Sequence, residues 1–138
     1  MRAPFIIAVL LPLVIDHIVT LIGQPAGYWR DFSLANEASP WKLLLTNHPG
    51  LFLGWLFVYV VIVWVLGSKL PSKLVLPLGL LAYTGYAWGS SSWIPRILQM
   101  LDIQYPDPFH WYVTIGYFVV LSFVLAWGIW KWQARGFR

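Results

Sequence analysis

An aspartate stands inside an otherwise apolar run. Residues Pro4 to Ile22 read PFIIAVLLPLVIDHIVTLI, with Asp16, His17 and Thr20 as the hydrophilic interruptions. Asp16 and Thr20 are four apart and share one helical face. Pro12, four residues before Asp16, lies on that face too and frees the carbonyl of residue 8 from its helical bond. A carboxylate at such a depth costs roughly a few kcal/mol unless it is paired, hydrated or protonated. Asp16 therefore marks either a ligand or ion site, or a structural carboxyl hydrogen-bonded to Thr20, His17 or a loop amide.

Other groups with chemical potential fall toward the same end of the chain's apolar segments. Asp16, His17, Glu37, His48 and His110 bring carboxylates and imidazoles that suit one divalent metal ion (zinc, iron or manganese) or general acid–base work. The metal-ligand candidates are Asp16, Glu37, His48 and His110. The candidates for binding a small polar ligand are Asp16, His17, Thr20 and Glu37 with Tyr83 and Tyr117. Those tyrosines, with Thr84 and Tyr86, supply hydroxyls to an outward-opening pocket or else hydrogen bonds between helices. No spacing names a metal, since there is no His-Glu-x-x-His or His-x-x-x-His. His48 before Pro49 equally suits a helix start, and His110 an interfacial ring. Haem is disfavoured because only His17 lies well inside a span. A transport path is disfavoured because the second and third spans carry no charge.

The elements that must position these groups are membrane helices. A helix rises about 1.5 Å per residue, so the first run covers roughly 28 Å, close to the hydrocarbon thickness. Three more spans are expected at 49–67, 74–92 and 108–130, giving an all-α, integral membrane four-helix bundle in one domain, 1–138. Small residues at Gly50 and Gly54, and at Gly79, Ala82, Gly85 and Gly89, permit close helix approach or a partner surface. Asn47 and Asp107-Pro108 read as helix starts. Two short amphipathic helices are expected at the interface. One follows Ser39-Pro40; the other carries Ile94, Ile97, Leu98 and Leu101 opposite Arg96, Gln99 and Asp102. The first run is longer than a signal peptide's apolar region and has no Ala-x-Ala-like site after it, so it reads as retained.

Asp16-x-x-x-Thr20, Gly23 and then Glu37-Ala38-Ser39-Pro40 before a short apolar helix resemble a family of small, uncharacterised prokaryotic four-helix membrane proteins. That family has an Asp-x-x-x-Thr first helix and a Glu-x-Asn-Pro loop. Ser39 stands where the pattern usually has Asn, and the first loop here is longer. The likeness covers about the first third of the chain. It implies that Asp16, Thr20, Glu37 and Pro40 belong to one site, and it implies no activity.

Composition agrees with a membrane protein. Of 138 residues, 59% are hydrophobic and 10% charged, and ten are tryptophan, a residue that anchors helices at lipid interfaces. The absence of cysteine excludes disulfides, zinc–thiolate and iron–sulfur sites. The pI of about 9.6 does not signal nucleic acid, because the basic residues are scattered singly. Arg2, Lys69, Lys73, Lys131, Arg135 and Arg138 fall on one side of the spans, with Arg30, Lys42 and Arg96 on the other. Six against three places both termini in the cytoplasm of a plasma (inner) membrane protein, with the acidic and histidine residues outside. Three functions fit: a pocket binding a metal ion or small polar ligand, an accessory subunit docking onto a larger membrane complex or a second copy through its Gly/Ala faces, or a membrane-embedded hydrolase.

Overall fold

A computed structural model describes residues 2–104 and 108–136. They form α1 (Ala3–Ile22), two 3-10 turns (Ala26–Trp29 and Phe32–Leu34), α2 (Lys42–Asn47), α3 (Pro49–Lys69), α4 (Ser72–Ser91), α5 (Ile94–Met100) and α6 (Phe109–Gly136). No strand occurs among the described residues. The Asp107 cap expected for α6, and Arg138, lie outside them.

Helices α1, α3 and α6 are long and apolar enough to cross a membrane. The four expected spans are thus met in part. Helix α4 has 20 residues, but Thr84, Tyr86, Gly89, Ser90 and Ser91 dilute its apolar character in the second half.

Helix α1 is the hub, packed against α4 and α6 and less extensively against α3. Of its apolar stretch, 44% is buried within the protein, against 6% for α3 and 11% for α6. The surrounding helices reach it through glycines. A Cβ added at Gly67 would lie 2.8 Å from Ile6, one at Gly79 2.6 Å from Phe5, and one at Gly128 2.7 Å from Ala8. Where lipid removes the hydrophobic driving force, such close backbone approach is what holds helices together. Of the small residues singled out in the sequence, Gly54 and Gly85 do not serve this purpose: a Cβ at either meets nothing within 4 Å. Val75, whose place near the start of α4 suggests a lipid-facing residue, is buried against Phe5 and Val9.

Arg2 closes one end of the bundle. Its guanidinium donates to the carbonyls of Gly67 (3.2 Å) and Leu70 and to Ser72 Oγ (3.0 Å), and lies 5.8 Å from the Trp132 ring centroid. The last carbonyls of a helix lack intrahelical partners and carry partial negative charge, so a cation there is stabilising. The N-terminal residues, the α3–α4 turn and the C-terminal part of α6 therefore share one end. At the opposite end, the long first loop has a small core of its own in Tyr28, Ala35, Leu45 and Phe52.

Candidate functional site

The first loop is pinned to α1 by Gln24, a buried residue just past the helix. Its Nε2 donates to the Thr20 carbonyl (2.9 Å) and the Asn36 carbonyl (3.4 Å), while its Oε1 accepts from Asn36 N–H (2.7 Å). These bonds set the residue after Asn36, Glu37, beside the end of α1. Glu37 Oε1 accepts from Ser39 N–H (2.8 Å), and Ser39 Oγ from Trp41 N–H (3.3 Å), turning the chain into α2. Tyr28, fully buried, fixes the far side of the loop by donating to the Leu45 carbonyl (3.1 Å). Burial disfavours its phenolate and raises its pKa.

The result is a cavity of about 330 Å³ between α1, α3, α4 and the loop. Asp16 and Thr20 of α1 face Glu37, Ser39 and Trp41 of the loop, Phe52 of α3, and Ala82, Gly85, Tyr86 and Gly89 of α4; Leu81, Ser92 and Trp93 complete the walls. Three of the four positions carrying the Asp-x-x-x-Thr and Glu-x-Ser-Pro pattern, Asp16, Thr20 and Glu37, thus meet in one place; Pro40 is not part of the wall. A Cβ at Gly89 would stand 2.9 Å from Asp16 Oδ1, so only a glycine leaves room for that carboxylate against α4. Gly85 opens directly onto the cavity.

Asp16 is half-buried, and among the described residues its carboxylate accepts no hydrogen bond and pairs with no cation. The structural-carboxyl expectation, bonded to Thr20, His17 or a loop amide, is not met. Thr20, 3% exposed, also lines the cavity, and its hydroxyl has no hydrogen-bond partner among the described residues. No Lys, Arg or His is among the lining residues.

The other candidates are placed elsewhere. His17 is buried behind the wall: its Nδ1 donates to the Leu13 carbonyl (3.0 Å), its ring stacks on Phe52 (4.6 Å between centroids), and its Nε2 has no partner among the described residues. Tyr83 and Tyr117 belong to the α4–α6 seam. Tyr83 packs with Ala87 and Leu121, and the Tyr117 hydroxyl pairs with Ser90 Oγ (2.7 Å). Successive helix residues turn by about 100°, so the Ala82–Tyr86–Gly89 stripe faces the cavity while Tyr83, Ala87 and Ser90 face α6. Tyr86, not Tyr83, is the tyrosine of the site.

The four-ligand metal set is not assembled. His48, not Asn47, caps α3: its Nδ1 accepts from Gly50 N–H (2.9 Å), and Asn47 donates to the Leu43 carbonyl. His110 stacks beside Trp111 in the first turn of α6. Neither lines the cavity, and among the described residues no three of His, Cys, Asp and Glu come together as metal ligands.

Two tryptophans, Trp41 and Trp93, are walls of the site. Trp93 lies so close to Gly23 that a Cβ there would be 2.2 Å from the indole ring. Trp29, Trp88 and Trp111 are exposed, as suits tryptophans at a lipid interface. Helix α5, whose Arg96 Nε donates to the Gly23 carbonyl (3.4 Å), buries Leu98 and so anchors the Trp93 corner to the end of α1.

Gln24, which positions the loop, carries no signal in the sequence, because its role depends on a loop that returns twelve residues later. No known protein family, curated protein or solved structure matches this chain.

Proposed function

We propose that this chain is a small four-helix membrane protein whose acidic cavity binds an organic ammonium group. The observation that carries the reading is Asp16: a carboxylate without a partner among the described residues, facing a cavity whose described walls hold a second carboxylate and no basic side chain. Aromatic rings complete the recognition chemistry. Trp41, Trp93, Tyr86 and Phe52 line the cavity, and an aromatic ring attracts a cation by about 2 kcal/mol when the pair is desolvated. The Thr20 hydroxyl, unpartnered among the described residues, suits a polar substituent on the ligand. Two carboxylates with no histidine or cysteine beside them give no ligand set for a tightly held transition metal.

The basic residues at the Arg2 end support a cytoplasmic placement of both termini, so that the cavity opens to the outer face of the plasma membrane. The small residues of α4 give less support to an accessory role. Gly79 and Gly89 are occupied by α1, and Gly85 faces the cavity.

The test is calorimetric titration of the detergent-purified protein with tetramethylammonium, choline and magnesium ions. Saturable binding of the organic cations by the native chain, lost in Asp16→Asn at unchanged folded yield, supports the reading. Equal behaviour of the two proteins ends it.

A further inference from the structure

The acidic cavity is the upper half of a longer cleft. Below it, between α1, α3 and α4, lies an apolar groove of about 370 Å³, and Leu81 and Ala82 line both spaces. The groove exists because α3 and α4, although joined by a tight turn, touch each other only sparingly along their length. At the level where the two spaces meet, Tyr59 of the groove and Tyr86 of the cavity touch edge-on, 5.6 Å between ring centroids. Helix α1 changes character there, whereas α3 gives the cavity only Phe52. Along α1 the cleft-facing stripe runs Phe5, Val9, Asp16, Thr20, apolar below and polar above. The lower walls are open sideways through the exposed faces of Leu66, Leu78 and Leu81, where lipid chains would lie in a membrane.

We infer that the ligand of this cleft is a single-chain amphiphile with a cationic amine head: the ammonium sits between Asp16 and Glu37, and the alkyl tail descends the groove toward Phe5. This rests on the ammonium reading of the upper cavity and names the class of molecule that would use it. Charge selects the head, since an anionic head would face two carboxylates and no cation. The tail gains little by leaving lipid for an apolar groove, so it contributes alignment, and the affinity comes from the head. Entry is lateral, from the bilayer, and needs no passage through the loop.

The probe is a primary alkylamine of about a dozen carbons, matched to the roughly 16 Å that α1 spans between Phe5 and Asp16, with a photoreactive diazirine at the tail end. It is added to the protein in lipid nanodiscs, and the labelled residues are mapped by mass spectrometry. Labels should concentrate on the groove, at Leu66 and Leu78, over the exposed α6 residues Val119 and Phe123. They should fall at least about tenfold in Asp16→Asn and with excess tetramethylammonium on the native protein. The competition arm decides the matter even if Asp16→Asn fails to fold. Labelling spread evenly over groove and α6, with tetramethylammonium still bound, overturns the amphiphile and leaves the ammonium site standing. Even labelling with no ammonium binding overturns both. Groove labelling indifferent to tetramethylammonium overturns the coupling of head and tail.

Discussion

Gln24 and Asn36 hold one another at two points: the Asn36 amide donates to Gln24 Oε1 at 2.7 Å, and Gln24 Nε2 donates to the Asn36 carbonyl at 3.4 Å. A side-chain amide here does what a neighbouring strand would do, joining a loop to the end of a helix. Gln24→Ala leaves the buried Thr20 carbonyl and Asn36 amide short of partners, which costs about 1–3 kcal/mol. The expected result is a lowered unfolding midpoint in detergent and faster proteolysis within residues 30–40. Ammonium binding weakens in step, since Glu37 is no longer held. Unchanged proteolysis would show that the loop is fixed by Tyr28 and Leu45 alone.

The two carboxylates act as a unit. Asp16→Asn and Glu37→Gln should each abolish most cation binding, and the double substitution should lose little more than either single one. Folded yield should stay near normal, because among the described residues the Asp16 carboxylate has no hydrogen bond to lose. Titration of all four proteins in parallel, each checked by circular dichroism, reads this out. Additive losses would mean two independent contacts.

Glycines that look alike in sequence should behave in opposite ways. Gly79→Leu and Gly128→Leu drive a side chain into Phe5 and Ala8, and are expected to destabilise by about 1–3 kcal/mol or more. Gly85→Leu meets no atom at its Cβ, so the bundle should fold normally while the cavity is filled and cation binding is lost. The comparison needs thermal unfolding and titration on the same preparations. Loss of fold in Gly85→Leu would place that residue in a helix contact instead.

Alkali should loosen the loop through Tyr28. Burial raises this phenol's pKa above its ordinary value of 10.0, so the neutral form is favoured in the folded state. Its contribution is complete below pH 10 and declines as pH rises toward the folded value. Loop proteolysis should therefore accelerate as pH rises above 10.0 in the native chain. Tyr28→Phe, which cannot ionise, should show a looser loop at neutral pH and a flatter alkaline response. Asp31 works in the other direction. The Ser33 hydroxyl and then Ser33 N–H (3.0 Å) lower the pKa of its carboxyl, so its support for the second 3-10 turn is present above the ordinary carboxylate range and fades as pH falls through the lowered value.

Helix positions were legible because apolar runs bounded by proline and by polar residues leave few alternatives. Pro49, Ser72 and Ile22 stand at or within two residues of the expected ends. The meeting of Asp16, Thr20 and Glu37 was legible for a related reason: the first two share a helical face, and the loop motif lies at the same end of the span. What stayed hidden depended on rotation and on return contacts. Tyr83 and Tyr86 are both plausible pocket residues by depth, and only the angle at which α4 meets α1 separates them. Gly67 and Gly128 belong to no spaced pattern, yet they touch the hub helix, whereas Gly54 and Gly85 fit the pattern and touch nothing. His48 carried metal-ligand chemistry in its type, but the turn before Pro49 commits its ring nitrogen to a backbone amide.

The lodging of Asp16 against Gly89 has a consequence for biosynthesis. The carboxylate emerges from the ribosome about seventy residues before the glycine that makes room for it, a delay of roughly 4–15 seconds at ordinary translation rates. Throughout that interval α1 carries an acid with neither cavity nor neighbour, so the nascent helix has reason to linger at the insertion machinery or the lipid headgroups. Among the described helices, the hub helix is thus the first synthesised and among the last to settle.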